Sequence, residues 1–136
     1  MIDSRTAPYA ALLLRVAAGV LFIAHALLKI LVFTMPGAVQ FFEQVGFPGW
    51  TAYLVTAVEL VGGALLILGI WSRWVALFTI PVLLGAASVH WPNGWVFSNA
   101  NGGWEFPVFW AVVMLVLAML GDGAYALKPS SDSARD

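Results

Sequence analysis

Apolar residues dominate four stretches of this chain, and polar residues fall mostly between them. The first stretch, Pro8 to Phe33, is interrupted by Arg15, His25 and Lys29. The second, Thr51 to Ile70, carries one charge, Glu59, and the third, Trp74 to Trp91, carries none and ends beside His90. The fourth runs from Phe106 to Leu120. A helix that crosses a bilayer needs about 20 mainly apolar residues. The first three qualify, and the fourth spans only if Trp104 and Glu105 sit in the headgroup layer. The expected fold is therefore all-α, an integral membrane four-helix bundle with spans at about residues 8–33, 51–70, 74–91 and 105–121. Three spans plus a re-entrant segment is the alternative.

The segments between the spans carry patterns of their own. In Pro36–Val45, Ala38, Phe41, Phe42 and Val45 recur at helical spacing with Gln40, Glu43 and Gln44 around them. That pattern predicts a short interfacial helix in the first outer loop, ended by Gly46 and Pro48. The loop from Pro92 to Gly103 mixes turn formers and amides with aromatics, which suits either a cover over the bundle mouth or a plain turn. Residues 1–127 read as one transmembrane domain, and the polar tail 128–136 is expected to be disordered.

Composition narrows the picture further. Of 136 residues, 62% are hydrophobic and 10% charged, against about 25% charged in ordinary soluble domains. A net charge of −1 gives no footprint for nucleic acid. The absence of cysteine excludes disulfides, thiolate metal sites and a thiol nucleophile belonging to this chain. The first apolar stretch is too long for a signal peptide and lacks a convincing cleavage site, so it is expected to be retained. Arg5, Arg73, Lys128 and Arg135 lie on one side of the four spans, whereas 34–50 and 92–104 contain no Lys or Arg. The positive-inside rule then predicts cytoplasmic termini and two outward loops.

Ionisable groups within a membrane are costly, by about 2.5–3.5 kcal/mol at a helix centre, and mark candidate sites. On the first span Arg15, Phe22, His25 and Lys29 fall within about 80° of one another at 100° per residue. Glu59 lies about 12 Å below the outer end of its span, with Gly62 and Gly63 on the same face. His25, Lys29, Glu59, His90, Asn93, Asn99, Asn101 and Glu105 all fall in the outer half, where four helices can bring them to a shared polar pocket. The structural alternatives are that Lys29 snorkels to headgroups, Glu59 pairs with Arg15 or Lys29, and Glu105 caps its helix. Three ligands suit such a pocket. Bis-histidine haem between His25 and His90 is the first, and a metal held by His25, Glu59, His90 and Glu105 the second, with no HxxxH or ExxH pattern behind it. The third, which the aromatic surroundings favour, is a quinone or a similar lipid-soluble redox ligand.

Taken in order, Leu13-Leu14-Arg15, Ala24-His25 with Lys29, Val58-Glu59-Leu60-Val61-Gly62-Gly63, His90-Trp91-Pro92-Asn93-Gly94 and Asn101-Gly102-Gly103-Trp104-Glu105 resemble the DoxX family over about residues 10–125. The resemblance implies a small four-helix protein of the bacterial inner membrane. The family takes its name from a subunit of a terminal quinol oxidase or thiosulfate:quinone oxidoreductase system, and other members are described as membrane parts of complexes with soluble redox or sulfur-handling proteins. It marks Arg15, His25, Lys29, Glu59, His90, Asn93 and Glu105 as recurring polar positions without assigning them roles.

The reading that results is a quinone- or quinol-interacting subunit of a membrane redox system; if it is an enzyme, it is a quinone-linked oxidoreductase subunit. His25 and His90 would hydrogen-bond the ligand oxygens, Glu59 would exchange protons, and Lys29 would offset negative charge on the ligand or the acid. Arg15 would hold Glu59 or anchor the inner end, and Asn93, Asn99, Trp104 and Glu105 complete the ligand-binding set. Expected partners are the bilayer, a lipid-soluble small molecule, a soluble redox or sulfur-handling protein and, as an option, a second copy of the chain. The rival is a scaffold that anchors a partner oxidoreductase, and behind it a small transporter, against which the apolar inner halves of the last two spans count.

Overall fold

Helix α1 (Ala7–Leu27) carries Pro8 in its first turn, where a missing N–H costs nothing. In the computed structural model, which describes residues 1–131, it continues into a π-helical turn, Leu28–Val32, that carries Lys29. Thr34, at φ 63°, breaks the run, and α2 (Met35–Gln44) follows with Pro36 in its first turn. Helix α3 (Thr51–Leu68) ends at Gly69, where φ 72° lets Ile70 N–H reach back to Leu65 O and close the helix end. Helix α4 (Ser72–His90) runs through Pro81 into a 3-10 turn, Trp91–Asn93, and α5 (Glu105–Leu120) completes the set. The described chain is all-helical, with five α-helices and no strand.

Three helices are long and apolar enough to cross a membrane: α1 with its π-turn, α3, and α4 with its 3-10 turn. Helix α5 has 16 residues, about 24 Å at 1.5 Å per residue, against a hydrocarbon core of about 30 Å. Helix α1 packs mainly on α3 and α4 mainly on α5, and lesser α3–α4 and α1–α5 contacts join the two pairs. Their shared core holds Phe22 of α1, Leu66 of α3, Leu83 of α4, and Trp110, Met114 and Leu117 of α5.

The α1–α3 contact is closest at two glycines. A Cβ added at Gly63 would lie 2.7 Å from Gly19 O, and one at Gly19 would lie 2.6 Å from Gly63 O. Such small-residue contacts let backbones approach where lipid offers no hydrophobic incentive to associate. Outward faces remain apolar, with Leu13, Leu31, Phe78, Phe109 and Met119 exposed. Contiguous apolar surface of that kind marks contact with lipid or protein.

The end of the molecule bearing the termini differs from expectation. Residues 128–131 fall in the stretch expected to be disordered, yet the chain from Asp122 onward is tied in. Ala124 N–H donates to Pro8 O, Leu127 N–H to Leu68 O, Lys128 N–H to Gly69 O, and Trp71 N–H to Lys128 O. Composition suggested a tail because the segment is polar; its polar groups instead satisfy the ends of α1, α3 and α4. Residues 132–136 lie outside the described residues.

Candidate functional site

Two polar groups occupy opposite ends of the α1–α3 pair. At the end bearing the termini, the Arg15 side chain is buried, 1% exposed. Its Nε donates to Asp122 O at 2.9 Å, Nη1 to Leu66 O and Ile67 O at 3.1 and 2.8 Å, and Nη2 to Ala124 O at 2.7 Å. Leu66 and Ile67 present carbonyls at the C-terminal end of α3, where backbone acceptors lack helical donors and the helix dipole favours a cation. Gly69 leaves room for the guanidinium, because a Cβ there would sit 2.9 Å from Arg15 Cζ.

Asp122 extends this fastening. Its carboxylate accepts from Ser72 N–H, at the start of α4, and from the N–H and hydroxyl of Ser130. Arg73 Nε donates to Ala118 O near the end of α5. Arg15 is thus committed to backbone carbonyls, far from the ligand-binding group in which the sequence placed it, and it does not hold Glu59.

Toward the other end, Lys29 Nζ lies 2.7 Å from Glu59 Oε2, and the pair is largely buried, with side-chain exposures of 16% and 8%. The π-turn carries Lys29, and Lys29 Nζ also approaches His25 O at 3.5 Å. His25 lies within electrostatic reach of Glu59. Its Nδ1 is 2.8 Å from Leu21 O. A carbonyl only accepts, so Nδ1 carries the proton and Nε2 of the neutral ring keeps its lone pair. The ring centroid lies 4.9 Å from that of Trp110 and 6.4 Å from that of Phe106. Trp110, itself 4.4 Å from Phe22, has a buried indole N–H with no acceptor. Buried donors are normally satisfied, and this one is an exception.

The remaining candidates form a separate group in the loop before α5. His90 Nδ1 is 3.1 Å from Asn101 O, which also accepts from Asn93 Nδ2, and Asn99 Nδ2 donates to Asn93 O. Glu105 Oε1 accepts from Phe97 N–H, and Trp104 stacks on Trp91 at 5.0 Å. These side chains shape the loop. Among the described residues, no hydrogen bond or ion pair joins this group to Lys29 or Glu59, so the eight expected side chains do not form one hydrogen-bonded pocket. The four side chains weighed as metal ligands are divided in the same way, and no three His, Asp or Glu among the described residues cluster as a metal site.

Two clefts open elsewhere. One, of about 560 Å³, lies between α2 and the start of α3; the other, of about 310 Å³ and wholly apolar, lies between α3 and α4 beside Gly62.

Asp122 and Trp110 escaped the sequence reading. Asp122 gave no signal, being an acid in a polar stretch. Trp110 did give one: the other tryptophans stand at helix ends or, for Trp95, in a loop, while this one lies within the body of α5.

The DoxX family model matches residues 10–91. The chain belongs to the DoxX family. A Bacillus subtilis (strain 168) protein named "Putative oxidoreductase CatD" is 35% identical over 118 residues, covering 87% of this chain and 84% of that protein. No solved structure matches the chain. With its three long apolar helices, this DoxX chain is a membrane protein. The matched stretch includes Arg15, His25, Lys29, Glu59 and His90, while Asn93, Asn99, Trp104, Glu105, Trp110 and Asp122 lie beyond it.

Proposed function

We propose that this DoxX protein is a quinone- or quinol-interacting component of a membrane redox system. The observation that carries the reading is the buried Lys29–Glu59 pair beside His25 and the unpartnered Trp110 N–H. A quinone headgroup fits those groups, since its carbonyl oxygens accept from N–H donors and its hydroxyls, once reduced, donate to an imidazole nitrogen or a carboxylate. A quinone takes up two electrons and two protons. The side chains handle the protons: Glu59 Oε1 is left for proton exchange while Lys29 holds Oε2, and His25 Nε2 accepts or donates according to its charge. Trp110 Nε1 would orient an oxygen. Electrons would come from or go to a partner protein, in keeping with the oxidoreductase name of the relative.

The same reading makes α5 the fourth span, with Trp104 in the headgroup layer, and lays α2 along the membrane–water interface. Arg5, Arg73 and Lys128 stand at the end bearing the termini, which supports cytoplasmic termini in a bacterial inner membrane. His90, Asn93, Asn99 and Glu105 then build an outer loop over the bundle.

A scaffold that anchors a partner oxidoreductase is the second reading. It is favoured by the internal commitment of Arg15 to backbone carbonyls and of Lys29 to Glu59, and by exposed Trp95 and Phe97 on that loop. Titration of the protein in lipid nanodiscs with a short-tailed quinone, followed by tryptophan quenching, separates the two. The redox reading expects saturable binding that Glu59→Gln or Trp110→Phe weakens about tenfold, or about 1.4 kcal/mol. The scaffold reading expects no saturable binding in either protein.

A further inference from the structure

The cleft between α2 and the start of α3 contains an acid that the described structure does not use. It is an open cleft of about 560 Å³ lined by Pro36, Val39, Gln40, Glu43, Trp50 and Tyr53. Glu43 makes no side-chain hydrogen bond or ion pair with a described residue, and neither do Gln40, Trp50 or Tyr53. The Glu43 carboxylate lies over the bare Cα of Gly49, where a Cβ would collide with it and with Val39. Trp50 and Tyr53, 65% and 57% exposed, flank the cleft. An anionic carboxylate beside aromatic rings is the chemistry that receives an organic ammonium. The indole N–H, phenol and amide of Trp50, Tyr53 and Gln40 are neutral donors suited to a phosphate oxygen.

We propose that this cleft binds the headgroup of a zwitterionic aminophospholipid, with the ammonium on Glu43 between Trp50 and Tyr53, and the phosphate on the neutral donors. Charge complementarity selects this occupant over an anionic lipid, because neither 34–50 nor 92–104 contains a Lys or Arg and Glu43 repels added negative charge. The proposal rests on α2 lying at the membrane–water interface and is independent of quinone binding. It gives the amphipathic helix a specific lipid contact that would hold the α2–α3 corner at headgroup depth.

The test uses the full chain in detergent with equal amounts of phosphatidylethanolamine and phosphatidylglycerol, and counts retained lipids by native mass spectrometry. The wild type is expected to retain phosphatidylethanolamine about fivefold over phosphatidylglycerol, the ratio that a contact of about 1 kcal/mol gives. Glu43→Gln should abolish the preference, and Glu43→Asp should keep part of it. Soluble phosphoethanolamine should compete only weakly, as it lacks acyl chains; full competition at low concentration would instead assign the cleft to a free solute. Equal retention of both lipids by the wild type, or an unchanged preference in Glu43→Gln, overturns the proposal. A spin label at Gln44→Cys, in a chain with no native cysteine, reports depth in nanodiscs. A label in bulk water would refute the interfacial reading itself, which distinguishes that failure from a failure of lipid choice.

Discussion

Replacing Arg15 with methionine removes a buried guanidinium while keeping an apolar stem of similar length, and it should destabilise the protein severely. Four of the five guanidinium N–H groups donate to carbonyls of Leu66, Ile67, Asp122 and Ala124. Hydrogen bonds to a charged group are worth about 1.5–3 kcal/mol each, so simple addition would give about 6–12 kcal/mol. Three of the four lie in partly buried surroundings where water can replace the donor, and only the bond to Leu66 O is fully buried. The loss should therefore be about 3–5 kcal/mol, one charged hydrogen bond lost in full and three largely replaced by water. Arg15→Lys keeps the charge but not the fork, and should lose about 1–3 kcal/mol. Reversible unfolding in mixed micelles, followed by circular dichroism as the denaturing detergent fraction rises, measures both variants. The surviving folded fraction of Arg15→Met should bind quinone as the wild type does, because the residue serves the opposite end of the α1–α3 pair. A stability loss below about 1 kcal/mol would refute the fastening role.

Other outcomes follow from the same contacts. Lys29→Met alone should cost about 3–5 kcal/mol by leaving Glu59 uncompensated, whereas Lys29→Met with Glu59→Gln should be far milder; a double-mutant cycle in the same unfolding assay gives the comparison. Gly63→Ala should lose about 1–3 kcal/mol by forcing α3 off Gly19, while Gly85→Ala, where a Cβ meets open space, should be neutral or stabilising by up to about 1 kcal/mol. Asp122→Ala should cost about 0.5–2 kcal/mol by stripping the start of α4 of its acceptor, and should speed hydrogen exchange of the Ser72 and Ser130 amides.

The helices were largely legible in the sequence because each is a long apolar run closed by a local signal. Thr51 opens α3 as expected, the expected start at Pro8 lies one residue inside α1, and the helix predicted over Pro36–Val45 forms at Met35–Gln44. The pairing of Glu59 with a first-span cation was among the alternatives the sequence offered, but the choice of Lys29 over Arg15 was not visible. Arg15 spends its donors on backbone carbonyls up to 109 residues away in the chain, and no side-chain pattern records a backbone acceptor. The polar stretch from Asp122 misled for a related reason. Its composition is that of a tail, while its hydrogen bonds are those of a clasp around the ends of three helices. Among the described residues the eight expected side chains share no single hydrogen-bond network, because equal depth on different helices says nothing about direction, and the amides after His90 turn toward one another to fold their own loop.

The central claim, that the buried group of His25, Lys29, Glu59 and Trp110 receives a quinone, is tested most directly by what the protein carries out of the membrane. The wild type and Glu59→Gln, purified in mild detergent and washed free of bulk lipid, would be extracted and their quinone quantified per chain by mass spectrometry. The account predicts stoichiometric quinone with the wild type and a large loss with Glu59→Gln at equal folded content. No quinone above the lipid background in the wild type, or equal amounts in both proteins, would contradict it.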